Sequence, residues 1–164
     1  MALGGDPVSS AILDLLRRVT GSAARGPDGT PRAAPRSTDE LAQVLGLAHQ
    51  HGWRTRIEGR GTWVPSDAPA DVAVTTREMV RVLAVTPADL VASAQAGIPM
   101  GRLSATFAAH RVWLAIDPPG SADRSLGSVL ATATAGPLRH WAGPVRDHVL
   151  GLTVVTGDGR VLRA

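Results

Sequence analysis

Cysteine, lysine and tyrosine are all missing from this chain of 164 residues, and its aromatics amount to one Phe and four Trp. Without a thiol there is no disulfide, no thiolate nucleophile and no cysteine-held zinc or iron–sulfur cluster. With so few rings, the core must be assembled mainly from Ala, Val and Leu. No apolar run approaches the ~20 residues that a membrane-spanning helix needs. The N-terminal "MALGGDPVSS" has neither the basic start nor the apolar middle of a secretion signal, so the cytoplasm is the expected location. A nucleic-acid footprint is lacking as well: the net charge is +3, and the arginines are scattered without a basic run.

Common catalytic patterns are absent too. There is no GxSxG elbow. His49, His51, His110, His140 and His148 show no metal-ligand spacing; His49 and His51, two apart, point to different sides of a helix. The carboxylates sit mainly in caps and turns, where Asp and Glu have local reasons to be. No metal site is expected, and no catalytic residue can be assigned.

What is present is a chain with 44% hydrophobic and 19% charged residues, long enough for a core and for two small lobes. Val8, Ile12, Leu15, Leu16 and Val19 lie on one face of a helix over residues 8–19. "GSAARGPDGTPRAAP" reads as a flexible loop with a short extended piece near Arg32–Pro35. A helix follows, capped by Ser37 with Glu40 closing a capping box, burying Leu41, Val44, Leu45 and Ala48, and stopped by Gly52. "RTRIE" is a short strand, as are segments within "DVAVTT", "VRVLAV" and "LVASAQAG". Met100, Leu103 and Phe107 mark the inner face of a further helix. The chain ends as a hairpin turning at Asp158-Gly159. The mixed order predicts an α+β fold, with residues 1–30 as an N-terminal helix and linker and lobes over about 31–85 and 89–164.

Two glycine-bearing stretches stand out. "EGRGTW", Glu58–Trp63, follows a strand; it lacks the Lys of a P-loop and the third glycine of a Rossmann fingerprint. It can still aim successive amides at one point, a nest suited to phosphate. The stretch from "DPPG", Asp117–Gly120, to "SLGSVLATATAG", Ser125–Gly136, offers a rigid approach, small side chains and exposed backbone. These properties suit either a planar ring system or a tightly packed Ala/Gly core.

The order "REM.RVL.V.P.DL...AQAG", then "DPP......LGS.LAT...GP.R...G..RD.VLGL.VV.GDG.V", resembles the FAD-binding PCMH-type domain of the vanillyl-alcohol oxidase superfamily. Within it, the resemblance is strongest to the FAD-binding subunit of bacterial glycolate oxidase, and it runs from about Pro35 to Arg163. It implies a two-lobed FAD-binding domain, incomplete at its C-terminus, with FAD between the lobes. Gly59, Arg60, Gly61, Thr62 and Trp63 would cradle the pyrophosphate. Asp117, Pro118, Pro119 and Gly120, with Ser125, Leu126, Gly127 and Ser128, would run along the flavin and ribityl chain. Ala131, Thr132 and Gly136 would line the cofactor further on, with Arg139 nearby. Arg146 and Asp147 would be a structural pair.

Three departures accompany the resemblance. Arg60 stands in a run usually made of glycines; a left-handed backbone there would cost about 1–2 kcal/mol, which an Arg–phosphate contact could offset. Ser128 replaces the second glycine of "LGG". Relatives also continue past the hairpin, so either a second polypeptide completes the flavin site or an oxidase complex, or the chain is a remnant or an incomplete gene product. Any membrane association would be peripheral, through that complex. Thr62-Trp63 occupies the place of a flavin-linking His, so FAD is expected to be noncovalent. The implied function is a FAD-binding subunit or fragment of an oxidoreductase acting on a 2-hydroxy acid such as glycolate, with hydride transfer to the flavin. The alternative is a non-catalytic assembly module with a degenerate flavin pocket.

Overall fold

The first helix, α1 (Pro7–Thr20), buries Ile12, Leu13, Leu16 and Thr20. Its inward stripe is therefore rotated from the expected one: Leu13 replaces Leu15 at the centre, and Val8 is left exposed. The computed structural model describes residues 7–63 and 68–164. Residues 1–6 and 64–67 lie outside the described residues, and with them part of the N-terminal segment examined for a signal. The chain divides into two compact units, Met1–Glu58 with Asp67–Glu78 and Thr153–Ala164, and Gly59–Ser66 with Met79–Leu152.

In the first unit, the expected loop after α1 is a hairpin of β1 (Ala23–Arg25) and β2 (Pro31–Ala33), antiparallel, with Ala23 opposite Ala33. Its Gly- and Pro-rich composition belongs to the turn, where the Thr30 amide donates to Asp28 Oδ1 at 3.1 Å. The helix α2 (Thr38–Gln50) begins as expected: Ser37 Oγ accepts from the Glu40 amide at 3.1 Å. The Glu40 carboxylate reaches one residue further back than a standard capping box, to the Arg36 amide at 2.8 Å. β3 (Thr55–Glu58) and β2 both run parallel to β4 (Val72–Thr75), giving a mixed sheet in the order β1-β2-β4-β3. All four β4 residues are buried, as befits a central strand covered on both faces.

Ile12, Leu13, Leu16, Ala33, Val44, Leu45, Val72 and Val74 form this unit's core. Each large aliphatic contributes about 1.5–3 kcal/mol on burial. The hairpin β7 (Thr153–Val155) and β8 (Val161–Arg163) adds Val155 to the same core. Its turn comes so close to α2 that a Cβ on Gly159 would lie 2.6 Å from the Ala42 carbonyl oxygen and 2.9 Å from Gly46 Cα. The terminal hairpin clusters with 1–58, and α1 packs into the same core.

The second unit contains β5 (Val82–Thr86) and β6 (Val91–Ala94), antiparallel and joined by a 3-10 turn, Pro87–Asp89. Helix α3 (Met100–Ala109) buries Met100, Leu103 and Phe107, the three positions its spacing predicts. The small-residue stretch after Ser125 forms a helix, α4 (Leu126–Thr132), followed by α5 (Arg139–Ala142) and a 3-10 turn, Val145–His148. Ile98, Leu103 and Phe107 form one apolar cluster, and Met100, Val129 and Val145 another. Backbone ties connect the chain before α3 to the chain before α4: Met100 N to Arg124 O and Gly101 N to Ala122 O, both 2.8 Å, and Gly127 N to Ala96 O, 2.7 Å.

Candidate functional site

All five residues of the first glycine loop lie in the second unit, with the whole of 79–152. Gly59 sits directly against the start of α4. A Cβ there would overlap Ser125 Oγ and lie 3.5 Å from both Ser125 Cβ and Ser128 Cβ. Arg60 does not take the left-handed backbone considered from sequence; that conformation falls to Gly61, at φ 70°. Glycine is suited to such a position, so the loop carries no strain from Arg60. The Arg60 guanidinium donates to Asp123 Oδ1 at 2.8 Å, tying the loop to the second stretch. The Trp63 ring covers the Arg124 guanidinium at 4.0 Å and packs on Gly120, where a Cβ would lie 3.3 Å from Cε3.

The two stretches therefore meet, and their amides differ in what they offer. At α4, Leu126 N donates to Ile98 O, Gly127 N to Ala96 O, Ser128 N to Ser125 Oγ and Val129 N to Ser125 O. The first turn of α4 is fully committed to the protein. Exposed backbone, expected over Ser125–Gly136, is replaced here by capped helix. Gly127 serves close packing: a Cβ would lie 2.9 Å from both Cβ and O of Ala96. In the first loop, by contrast, no acceptor among the described residues lies within hydrogen-bonding distance of the Gly61, Thr62 or Trp63 amides. These are three successive solvent-exposed amides beside a left-handed glycine, and an anion can accept from them.

Asp117 accepts from the Leu138 amide at 3.1 Å through Oδ2, while its Oδ1 is buried with no partner among the described residues. Gly136 is pressed against it, since a Cβ there would lie 2.6 Å from Oδ2. The Pro119 carbonyl accepts from Arg124 at 3.0 Å, and Pro118 is half-buried. Ala131 and Thr132 lie on α4, exposed along with Arg139, whose side chain makes no hydrogen bond or ion pair among the described residues. Arg146 and Asp147 form a 3.4 Å pair on the surface. Among the described residues no cluster of three His, Asp or Glu could hold a metal ion, and no helix is long and apolar enough to cross a membrane.

Sequence reading missed Arg124. It is completely buried, and its guanidinium donates to Pro119 O, Ser128 Oγ at 3.4 Å, Thr132 Oγ1 at 2.7 Å and Thr134 Oγ1. Desolvation lowers its pKa from the ordinary arginine value. The available signal was an arginine immediately before a helix start composed of small and apolar residues. Ser128, the departure from "LGG", is one of its acceptors, so these two positions work together.

The free amides of the Gly61 turn fit a cofactor that brings a diphosphate. Comparison with known proteins agrees. The family model "FAD binding domain" matches residues 31–164. Glycolate oxidase subunit GlcE of Escherichia coli strain K12 is 37% identical over 78 residues, 47% of this chain and 22% of that protein. D-2-hydroxyglutarate dehydrogenase of Bos taurus is 29% identical over 92% of this chain and 27% of its own length. Among solved structures, an alkyldihydroxyacetonephosphate synthase superposes with a TM-score of 0.74 at 26% identity, covering 93% of this chain and 31% of that one. p-Cresol methylhydroxylase, at 14% identity, shares the fold with a TM-score of 0.77 over 98% of this chain and 36% of its own. The chain thus spans about a fifth to a third of the length of these relatives. With a family match that covers most of the sequence and a fold shared with vanillyl-alcohol oxidase superfamily members, this chain belongs to the FAD-binding PCMH-type domains, and its cofactor is FAD.

Proposed function

We propose that this chain is the FAD-binding subunit or fragment of a flavin-dependent oxidoreductase acting on a 2-hydroxy acid such as glycolate. The observation that carries the reading is the turn at Gly61–Trp63, three amides without protein acceptors held against the second glycine stretch. These amides would bind the diphosphate, and Asp117 would lie along the cofactor. Gly59, Gly120 and Ser125–Ser128 hold the turn in place, α4 contributing side chains and packing rather than its own amides. Thr132, Gly136 and Arg139 complete the wall beyond Asp117. FAD, when bound, supplies the two-electron acceptor for hydride removed from the substrate carbon.

The substrate class is supported by the names of several relatives, which specify glycolate, D-lactate and D-2-hydroxyglutarate. None of this chain's residues is assigned to substrate binding or proton abstraction; the subunit names of relatives support a partner polypeptide in an oxidase complex. An apolar groove of about 570 Å³ supports such a partner. It is lined by β5, β6, α3 and residues 147–152, and Leu90 and Leu150 beside it are about four-fifths exposed. A cytoplasmic location, with membrane contact only through the partner complex, follows from the same reading.

The test is the visible spectrum of the purified chain with added FAD. A bound flavin band, released into the supernatant on acid precipitation, is expected for noncovalent binding. A yellow precipitate would overturn the noncovalent assignment. A colourless protein that takes up no FAD would overturn the flavoprotein reading and leave the fold as an assembly module.

A further inference from the structure

Arg124 is the one charged residue among the fully buried side chains that the structure describes. Its five hydrogen bonds all go to neutral oxygens: Pro119 O, Ser128 O, Ser128 Oγ, Thr132 Oγ1 and Thr134 Oγ1. No carboxylate lies within ion-pair distance of it among the described residues, and neighbouring Asp123 is engaged with Arg60. A guanidinium keeps its proton at any ordinary pH, so desolvation leaves a real positive charge inside the unit. Buried charges are normally paired, and one that is not carries a substantial penalty. Hydroxyls and carbonyls accept from all three guanidinium nitrogens and leave the net charge unbalanced. The side chain is separated from solvent by the Trp63 ring, which is 40% exposed and whose own amide belongs to the Gly61 turn.

We propose that Arg124 is the fixed positive charge of the dinucleotide site, held by neutral partners directly beneath the phosphate loop so that the cofactor's diphosphate balances it. The proposal rests on the FAD reading given above. In this arrangement Thr132, Thr134 and Ser128 orient the guanidinium without neutralising it. A carboxylate in their place would cancel the field that attracts the anion. The field of Arg124 acts on the loop over a short path through the protein, where screening by salt is weak. The competing role is a structural one, in which Arg124 merely staples Pro119 to α4.

The two roles differ in what they do to a charged and an uncharged ligand. FAD and riboflavin share the flavin ring, and only FAD carries phosphate. Fluorescence titration of both into the wild-type chain and Arg124→Gln, which keeps hydrogen-bond donors and loses the charge, separates them. The expected result is a loss of FAD affinity of about ten-fold or more, with riboflavin changed by less than about two-fold. Arg124→Lys should retain most of the preference for FAD over riboflavin. Equal losses for both ligands, or no loss for either, would overturn the proposal. Should Arg124→Gln fail to fold by circular dichroism, Thr134→Asp decides, because it keeps Arg124 and sets a neutralising carboxylate beside it. A lost FAD-over-riboflavin preference supports the proposal, and a preserved preference refutes it. Wild-type chain that binds neither ligand would instead refute the FAD reading itself.

Discussion

The contact between Gly59 and Ser125 makes a quantitative prediction through a double-mutant cycle. Ser125 is fully buried, and its Oγ accepts the Ser128 amide at the start of α4. Ser125→Ala should cost about 1 kcal/mol, the ordinary value of a helix N-cap. A methyl at Gly59 would collide with the same Oγ, which has no solvent to retreat into. Gly59→Ala alone must displace the cap or the loop, costing about 1–3 kcal/mol. In the double variant the nearest obstacles are Ser125 and Ser128 Cβ at 3.5 Å, ordinary van der Waals contact. It should therefore be no less stable than Ser125→Ala alone, giving a coupling of about 1–3 kcal/mol. Urea denaturation of the four proteins measures this directly; in heat, each kcal/mol moves the midpoint by about 2–4 °C at this size. FAD affinity should fall in Gly59→Ala and recover in the double variant. Strictly additive stabilities would show that the loop and α4 are not in the contact described.

Other perturbations test separate parts of the structure. Ile98 is completely buried among Leu103, Phe107 and Leu126, so Ile98→Ala should destabilise by about 2–5 kcal/mol in the same urea assay. Leu90 is 79% exposed at φ 55°, and Leu90→Gly should raise stability by about 1 kcal/mol by relieving a left-handed backbone. Asp28 accepts from the Arg56 guanidinium at 2.7 Å, which lowers its pKa from 3.8 to about 2. Its folded pKa being depressed, the Asp28–Arg56 pair contributes stability above about pH 4 that is lost as pH falls toward 2. Asp28→Asn should thus lower stability in urea at pH 7 by about 1 kcal/mol, Arg56 being largely buried and Asp28 one-third exposed, and by less at pH 2. A loss of equal size at both pH values would assign the effect to packing.

Sequence patterns revealed most of the framework. The Ser37 cap, the α2 stripe and the α3 positions Met100, Leu103 and Phe107 follow from periodicity and local hydrogen bonding, which act over a few residues. The β1–β2 hairpin was hidden because its strands are three residues long and rich in Ala, Arg and Pro, all weak strand signals. The α1 stripe shifted toward Leu13 because burial there is set by the sheet it packs against. At the site, the glycine loops were legible as glycine loops, yet their roles depend on neighbours far along the chain. Gly59 and Gly127 are closed by Ser125 and Ala96, whereas the amides left for an anion belong to Gly61, Thr62 and Trp63. Arg124 could not be singled out among scattered arginines until its burial under Trp63 was known.

The central claim is that the backbone of the Gly61 turn grips the diphosphate of FAD. Titration of FAD into the wild-type chain and Gly61→Val, each shown to be folded, tests it most directly. Gly61 has φ 70°, which a β-branched residue resists by about 1–2 kcal/mol, so the amides of the turn must shift. Saturable binding to the wild type with affinity reduced at least about ten-fold in the variant is the expected result. Equal affinity in the two proteins would contradict it.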